Sequence, residues 1–127
     1  MADFPYKLDK KLIVIPALFR GKHGDYGAEL ILDTGASLTI LQPLTVQALG
    51  FSQQDQTGYS TVQSPIGKEK GFRISLPAIE CCGKRVESFE VACHSLGLHH
   101  IDGLLGMNFL ELFDFCIFSK KQTIRLG

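Results

Sequence analysis

The sequence predicts a mostly β domain with one or two short helices. Short apolar runs rich in branched residues recur along the chain, Gly- and Pro-containing turns separate them, and no long stretch sustains a helical period. With 127 residues the chain suits a single domain spanning 1–127, because a domain of about 100–150 residues can bury one full core. Hydrophobic residues at 45% and charged residues at 20% supply that core and exclude a disordered or fibrous chain.

The elements follow in order. Residues 11–19 and 26–32 read as two strands joined by the Gly- and His-containing turn between them. The second strand runs directly into Asp33-Thr34-Gly35-Ala36-Ser37, where the glycine permits a turn that a Cβ would resist. Residues 38–41 return to apolar character. Pro43 then opens a short helix over residues 44–49 that Gly50 stops. Residues 57–76 form a polar, β-prone hairpin turning at Ser64-Pro65-Ile66-Gly67. A second hairpin joins residues 78–81 to 86–93 through Cys82-Gly83-Lys84-Arg85, with Val86, Phe89 and Val91 at apolar positions. Residues 94–100 read as a surface loop. Residues 101–105 are an apolar strand ended by Gly106, residues 107–113 have helical spacing, and residues 114–118 and 123–126 close the chain as strands.

Thirteen basic and thirteen acidic side chains cancel, so no net field draws the chain to nucleic acid or to an acidic membrane surface. The N-terminal residues lack the basic-then-apolar layout of a secretory signal. Pro16 interrupts an apolar run far shorter than the roughly 20 residues a bilayer requires. A soluble, cytoplasmic protein is expected. The adjacent Cys81 and Cys82, with Cys93 and Cys116, fit reduced thiols, and neither the cysteines nor His94, His99 and His100 have zinc-ligand spacing. No metal or other cofactor is expected. Phe109, Phe113, Phe115 and Phe118 read as core or interface residues.

Asp and Gly are ordinary turn residues, so Asp33-Thr34-Gly35 alone permits a purely structural turn. Its setting favours chemistry. Leu30-Ile31-Leu32 leads in and Leu38-Thr39-Ile40-Leu41 leads out, which should partly desolvate the carboxylate at a cost that a turn does not require.

The segment from Leu30 to Ser37 resembles the catalytic loop of aspartic proteases, in particular the single-domain retropepsins, and Ile101-Asp102-Gly103-Leu104-Leu105-Gly106-Met107-Asn108 resembles that family's second hallmark. The resemblance implies a retropepsin-like closed β-barrel, half of an acid-protease fold, completed as a two-fold homodimer. It implies an aspartic endopeptidase acting on peptide or protein substrates. Asp33, Thr34 and Gly35 would be catalytic, and Ala36, Ser37, Ser64, Pro65, Ile66 and Gly67 would bind substrate, the last four as the tip of a flap. Leu104, Leu105 and Gly106 would support the catalytic loop.

Two carboxylates must share a proton in this chemistry, and the chain carries one Asp-Thr-Gly. The resemblance therefore implies that a second copy supplies the partner acid, with Thr34 bonding across the axis. Asp102 lies beside the supporting loop and not at the dyad. Ala36 stands where related enzymes place a serine donor to the carboxylate, which implies activity reaching toward neutral pH. Viral members pair an acid at the Ser37 position with an arginine at the Met107 position, and both charges are absent here. A retropepsin-fold binding or dimerisation module with weak or absent catalysis is the alternative.

Overall fold

The computed structural model describes residues 2–64 and 67–127, without the side chains of Gln63 and Ser64. Its strands are β1 (Phe4–Pro5), β2 (Lys7–Asp9), β3 (Leu12–Arg20), β4 (Asp25–Leu32), β5 (Ile40–Leu41), β6 (Gly58–Ser64), β7 (Gly67–Cys81), β8 (Lys84–Cys93), β9 (Gly103–Leu105), β10 (Phe115–Phe118) and β11 (Thr123–Leu126). Helix α1 covers Pro43–Ala48, helix α2 covers Met107–Leu110, and a single 3₁₀ turn covers Gln53–Asp55. The mostly β expectation holds.

Sheet order β2-β3-β4-β9-β5-β8-β7-β6, together with a further β3–β7 pairing, closes β3, β4, β9, β5, β8 and β7 into a ring. Closure removes the free edges of these six strands and leaves β2 and β6 as outer strands of the sheet. It also produces two packed faces. On β3 and β4, Ile15, Phe19, Ala28 and Leu30 point into the main core, whereas Val14 and Ile31 join Ile101 in a smaller cluster on the other side. This is the period-two alternation of a strand buried on both faces. A separate sheet, ordered β1-β11-β10, ties the N-terminal residues to the C-terminal hairpin.

Several expectations are corrected. The two expected hairpins share one continuous strand, β7, which runs through Pro77. Proline is accommodated because the β7–β8 register passes from Leu76↔Phe89 to Ala78↔Glu87, and no N–H is required between them. The helical spacing of residues 107–113 yields only the four-residue α2. His94 is not on a surface loop: it is 5% exposed and its Nε2 lies 3.0 Å from Ser60 Oγ on β6. Strands β1 and β2 lie in residues for which the sequence reading offered no element. Phe109 is fully buried and meets Phe89 edge to face at 6.0 Å, Phe113 and Phe115 pack against the core, and Phe118 lies under Arg125 in the terminal sheet. Among the described residues no helix is long and apolar enough to cross a membrane.

Candidate active site

Asp33 stands where β4 leaves the barrel. Its backbone N–H donates to Leu105 O at 3.0 Å, extending the parallel β4–β9 pairing by one residue, and this fixes the direction in which the chain exits. Ala36 N then returns to Asp33 O at 3.2 Å and closes a tight turn. Gly35 N donates to Asp33 Oδ1 at 2.9 Å, a charge-assisted bond that orients the carboxylate. Asp33 itself is half-buried, while Thr34, Gly35 and Ser37 are exposed. The outer surface of the loop is open.

The supporting loop grips this turn from below. Met107 N donates to Ala36 O at 2.7 Å and Asn108 N to Ser37 O at 3.1 Å. These main-chain bonds explain how the loop dispenses with an ion pair at Ser37 and Met107: the backbone already joins the two segments. Gly106 has to be glycine, since a Cβ there would come within 2.7 Å of Leu38 C and 2.8 Å of Ala36 O. Leu105 is buried beneath the loop, whereas Leu104 is half-buried and faces the groove described below.

A network that the sequence reading missed holds the two loops together. Thr39, fully buried, donates to Asn108 Oδ1 from both its N–H and its hydroxyl at 2.8 Å, and its Oγ1 accepts from Gly106 N at 3.0 Å. Asn108 Nδ2 in turn donates to Glu90 O at 2.8 Å. The available signal was the single hydroxyl inside the apolar stretch Leu38-Thr39-Ile40-Leu41, since a buried polar group must find partners.

Asp33 opens onto a groove of about 330 Å³. It is lined by Gly35, Ala36 and Ser37 of the acid loop, by the aliphatic Leu38, Ile40 and Leu104, and by Ser60, Thr61 and Val62 of β6. Strand β6 thus lines the same groove as the acid. Of the four expected tip residues, Pro65 and Ile66 lie outside the described residues, and Ser64 and Gly67 face each other across the β6–β7 ladder. Among the described residues, Ser60, Thr61 and Val62 line the groove and Gly67 does not.

Asp33 is the only acid among the described residues lining this groove. A larger groove of about 580 Å³ passes Asp102, but that carboxylate is committed. It accepts from Tyr26 Oη at 3.0 Å, from Glu29 N at 2.8 Å and from Thr45 Oγ1 at 2.6 Å. Burial, and then the bond to Asp102, push the Tyr26 phenol up. Asp102 is thus a structural anchor between β4, α1 and β9. Burial lowers His94, against an opposing pull from Glu69. Among the described residues, no group of three or more His, Cys, Asp or Glu side chains is placed to hold a metal ion.

Residues 17–109 match the aspartyl protease family. The structure is similar to the crystal structure of a retropepsin-like aspartic protease from Rickettsia conorii, with a TM-score of 0.75 and 23% identity, covering 98% of each chain. A curated phosphoglycerate kinase from Paramecium primaurelia is 35% identical over 83 residues, which is 63% of this chain and 23% of that protein. The chain thus spans about a quarter of that relative's length. The glycine-turned acid, the loop that grips it and the closed barrel agree with the family match over most of the chain: it belongs to the aspartyl protease family and has the retropepsin-like fold.

Proposed function

We propose that the chain is one half of a homodimeric aspartic endopeptidase. The observation that carries the reading is Asp33, half-buried, oriented by Gly35 N–H and opening onto a groove lined by no other acid among the described residues. A second Asp33 supplied by a two-fold partner completes a pair in which one carboxylate takes a proton from water while the other donates to the substrate carbonyl. That shared-proton pair is the established arrangement of aspartic proteases as a class.

In this reading Asp33, Thr34 and Gly35 form the catalytic loop, with the exposed Thr34 facing the partner. Leu104, Leu105 and Gly106 hold the loop from below, and Ala36 and Ser37 line the substrate groove. The β6–β7 hairpin serves as the flap that excludes water during turnover. A cytoplasmic setting suits the adjacent Cys81 and Cys82. The kinase likeness is not carried over, because a carboxylate on a β-loop suits proton transfer to and from water, while phosphate recognition favours helix N-termini.

The test is cleavage of casein and of a peptide library across pH by the purified chain, alongside Asp33→Asn and a statine-type inhibitor. Cleavage that the inhibitor blocks and that Asn lowers by at least about a hundredfold is expected. A folded dimer that cleaves nothing at any pH overturns the enzyme reading, and a single-chain mass at high concentration overturns the dimer.

A further inference from the structure

The turn between β7 and β8 sets two thiols side by side. Cys81 pairs with Lys84 across the ladder, leaving Cys82 and Gly83 as a two-residue loop, both with positive φ, at 50° and 76°. Such a loop ordinarily takes Asn, Asp or Gly at its first position. Here a cysteine occupies the left-handed conformation, with its sulfur 3.9 Å from that of Cys81. Both residues line a groove of about 490 Å³ that also contains Glu29 and Glu80 and shares no lining residue with the Asp33 groove. Glu29 Oε2 is buried there without a hydrogen-bond partner.

The two thiols differ in their surroundings. Cys81 is buried, with Pro16 O at 3.6 Å and Cys82 Sγ at 3.9 Å, while Cys82 is half-exposed. A bound cation meets Cys82 first and displaces the protons of both thiols.

We propose that Cys81 and Cys82 form a binding site for a soft metal or metalloid centre that takes two thiolates. Sulfur–metal bonds of about 2.3 Å at a tetrahedral angle place two sulfurs ~3.8 Å apart, close to the 3.9 Å already present. Chelation thus leaves the separation of the two sulfurs nearly as it stands. A disulfide requires about 2.05 Å, so the sulfurs would have to close by nearly half within a two-residue turn. No third Cys, His or carboxylate joins them in a larger cluster among the described residues, and the ligand's own atoms or solvent complete the coordination. With an organic arsenic(III) oxide, two S–H bonds break, two As–S bonds form and the oxygen leaves as water with both protons. Arsenic and sulfur keep their oxidation states. With Cd²⁺, two protons pass to the buffer.

The test uses the full chain, phenylarsine oxide for the metalloid and Cd²⁺ for the metal ion. One equivalent of at least one probe should protect two thiols from a thiol reagent, with release by a small dithiol but not by a monothiol. Cys82→Ser should weaken that binding by about a hundredfold, the loss expected when a chelate becomes monodentate. Because Cys82 is only half-buried, this replacement spares the core that Cys81 helps to fill. Cys116→Ser, which removes an exposed thiol elsewhere, and Asp33→Asn should both leave binding unchanged, so the outcome is independent of the protease reading. Unaltered affinity in Cys82→Ser, protection of a single thiol, or binding of neither probe overturns the proposal.

Discussion

Replacing Thr39 by valine isolates the bond network beneath the catalytic turn, because valine keeps the shape of threonine and removes only the hydroxyl. Two things are lost. The bond from Thr39 Oγ1 to Asn108 Oδ1 at 2.8 Å disappears, and Gly106 N–H, buried against that oxygen at 3.0 Å, loses its acceptor. A typical bond contributes about 1 kcal/mol net and an orphaned buried donor costs about 1–3 kcal/mol, so Thr39→Val should destabilise the fold by about 2–4 kcal/mol. Asn108 Oδ1 still accepts from Thr39 N–H, which argues against a larger figure. With a urea dependence of about 2 kcal/mol per molar, the unfolding midpoint should fall by about 1–2 M at unchanged slope. Chain concentration must be held constant, since association contributes to apparent stability. Thr39→Ser retains the hydroxyl and should lose only the share of a buried methyl, about 1 kcal/mol. A valine variant within about 0.5 kcal/mol of the parent, or a serine variant as damaged as the valine one, would refute the reasoning.

Two further outcomes follow from buried polar groups. Asp102→Asn cannot satisfy the three donors that converge on the carboxylate and should cost about 2–4 kcal/mol. Its peptidase activity per folded molecule should remain near the parent value, measured well below the melting temperature, whereas loss comparable to Asp33→Asn would make Asp102 a reacting group. Burial holds His94 below its ordinary value, so the unfolded chain takes up a proton first as pH falls below about 6.5. Stability from neutral His94 is therefore full above that pH and is lost below it. Between about pH 7 and pH 5 the parent should lose midpoint stability that His94→Gln does not lose, and parallel profiles for the two proteins would count against it.

Local chemistry made the acid loop legible. Asp33-Thr34-Gly35 and Leu104-Leu105-Gly106 each carry their meaning within a few residues, because glycine and flanking apolar runs state the turn and its burial directly. Features made by distant partners were not legible. Phe4 pairs with Ile124, and no local pattern announces a strand whose ladder lies at the other end of the chain. His94 looks polar in sequence, yet it becomes interior because Ser60 supplies a partner from β6. The expected break between residues 76 and 78 is instead a continuous strand, since at Pro77 the pairing lapses for one residue only. The contact between Thr39 and Asn108 likewise depends on a fold that brings both loops to one place.

The span of β7 has a mechanical consequence. From Phe72 inward it is clamped by β8, and from Ala78 to Cys81 by β3 as well, while Lys68 to Gly71 have, among the described residues, β6 as their ladder partner. The strand is a cantilever with a rigid root and a less supported arm. Deflection concentrates where the support ends, near Gly71 and Phe72. Substitutions outboard of Gly71 can therefore retune the stiffness of this arm while the barrel pairing stays fixed.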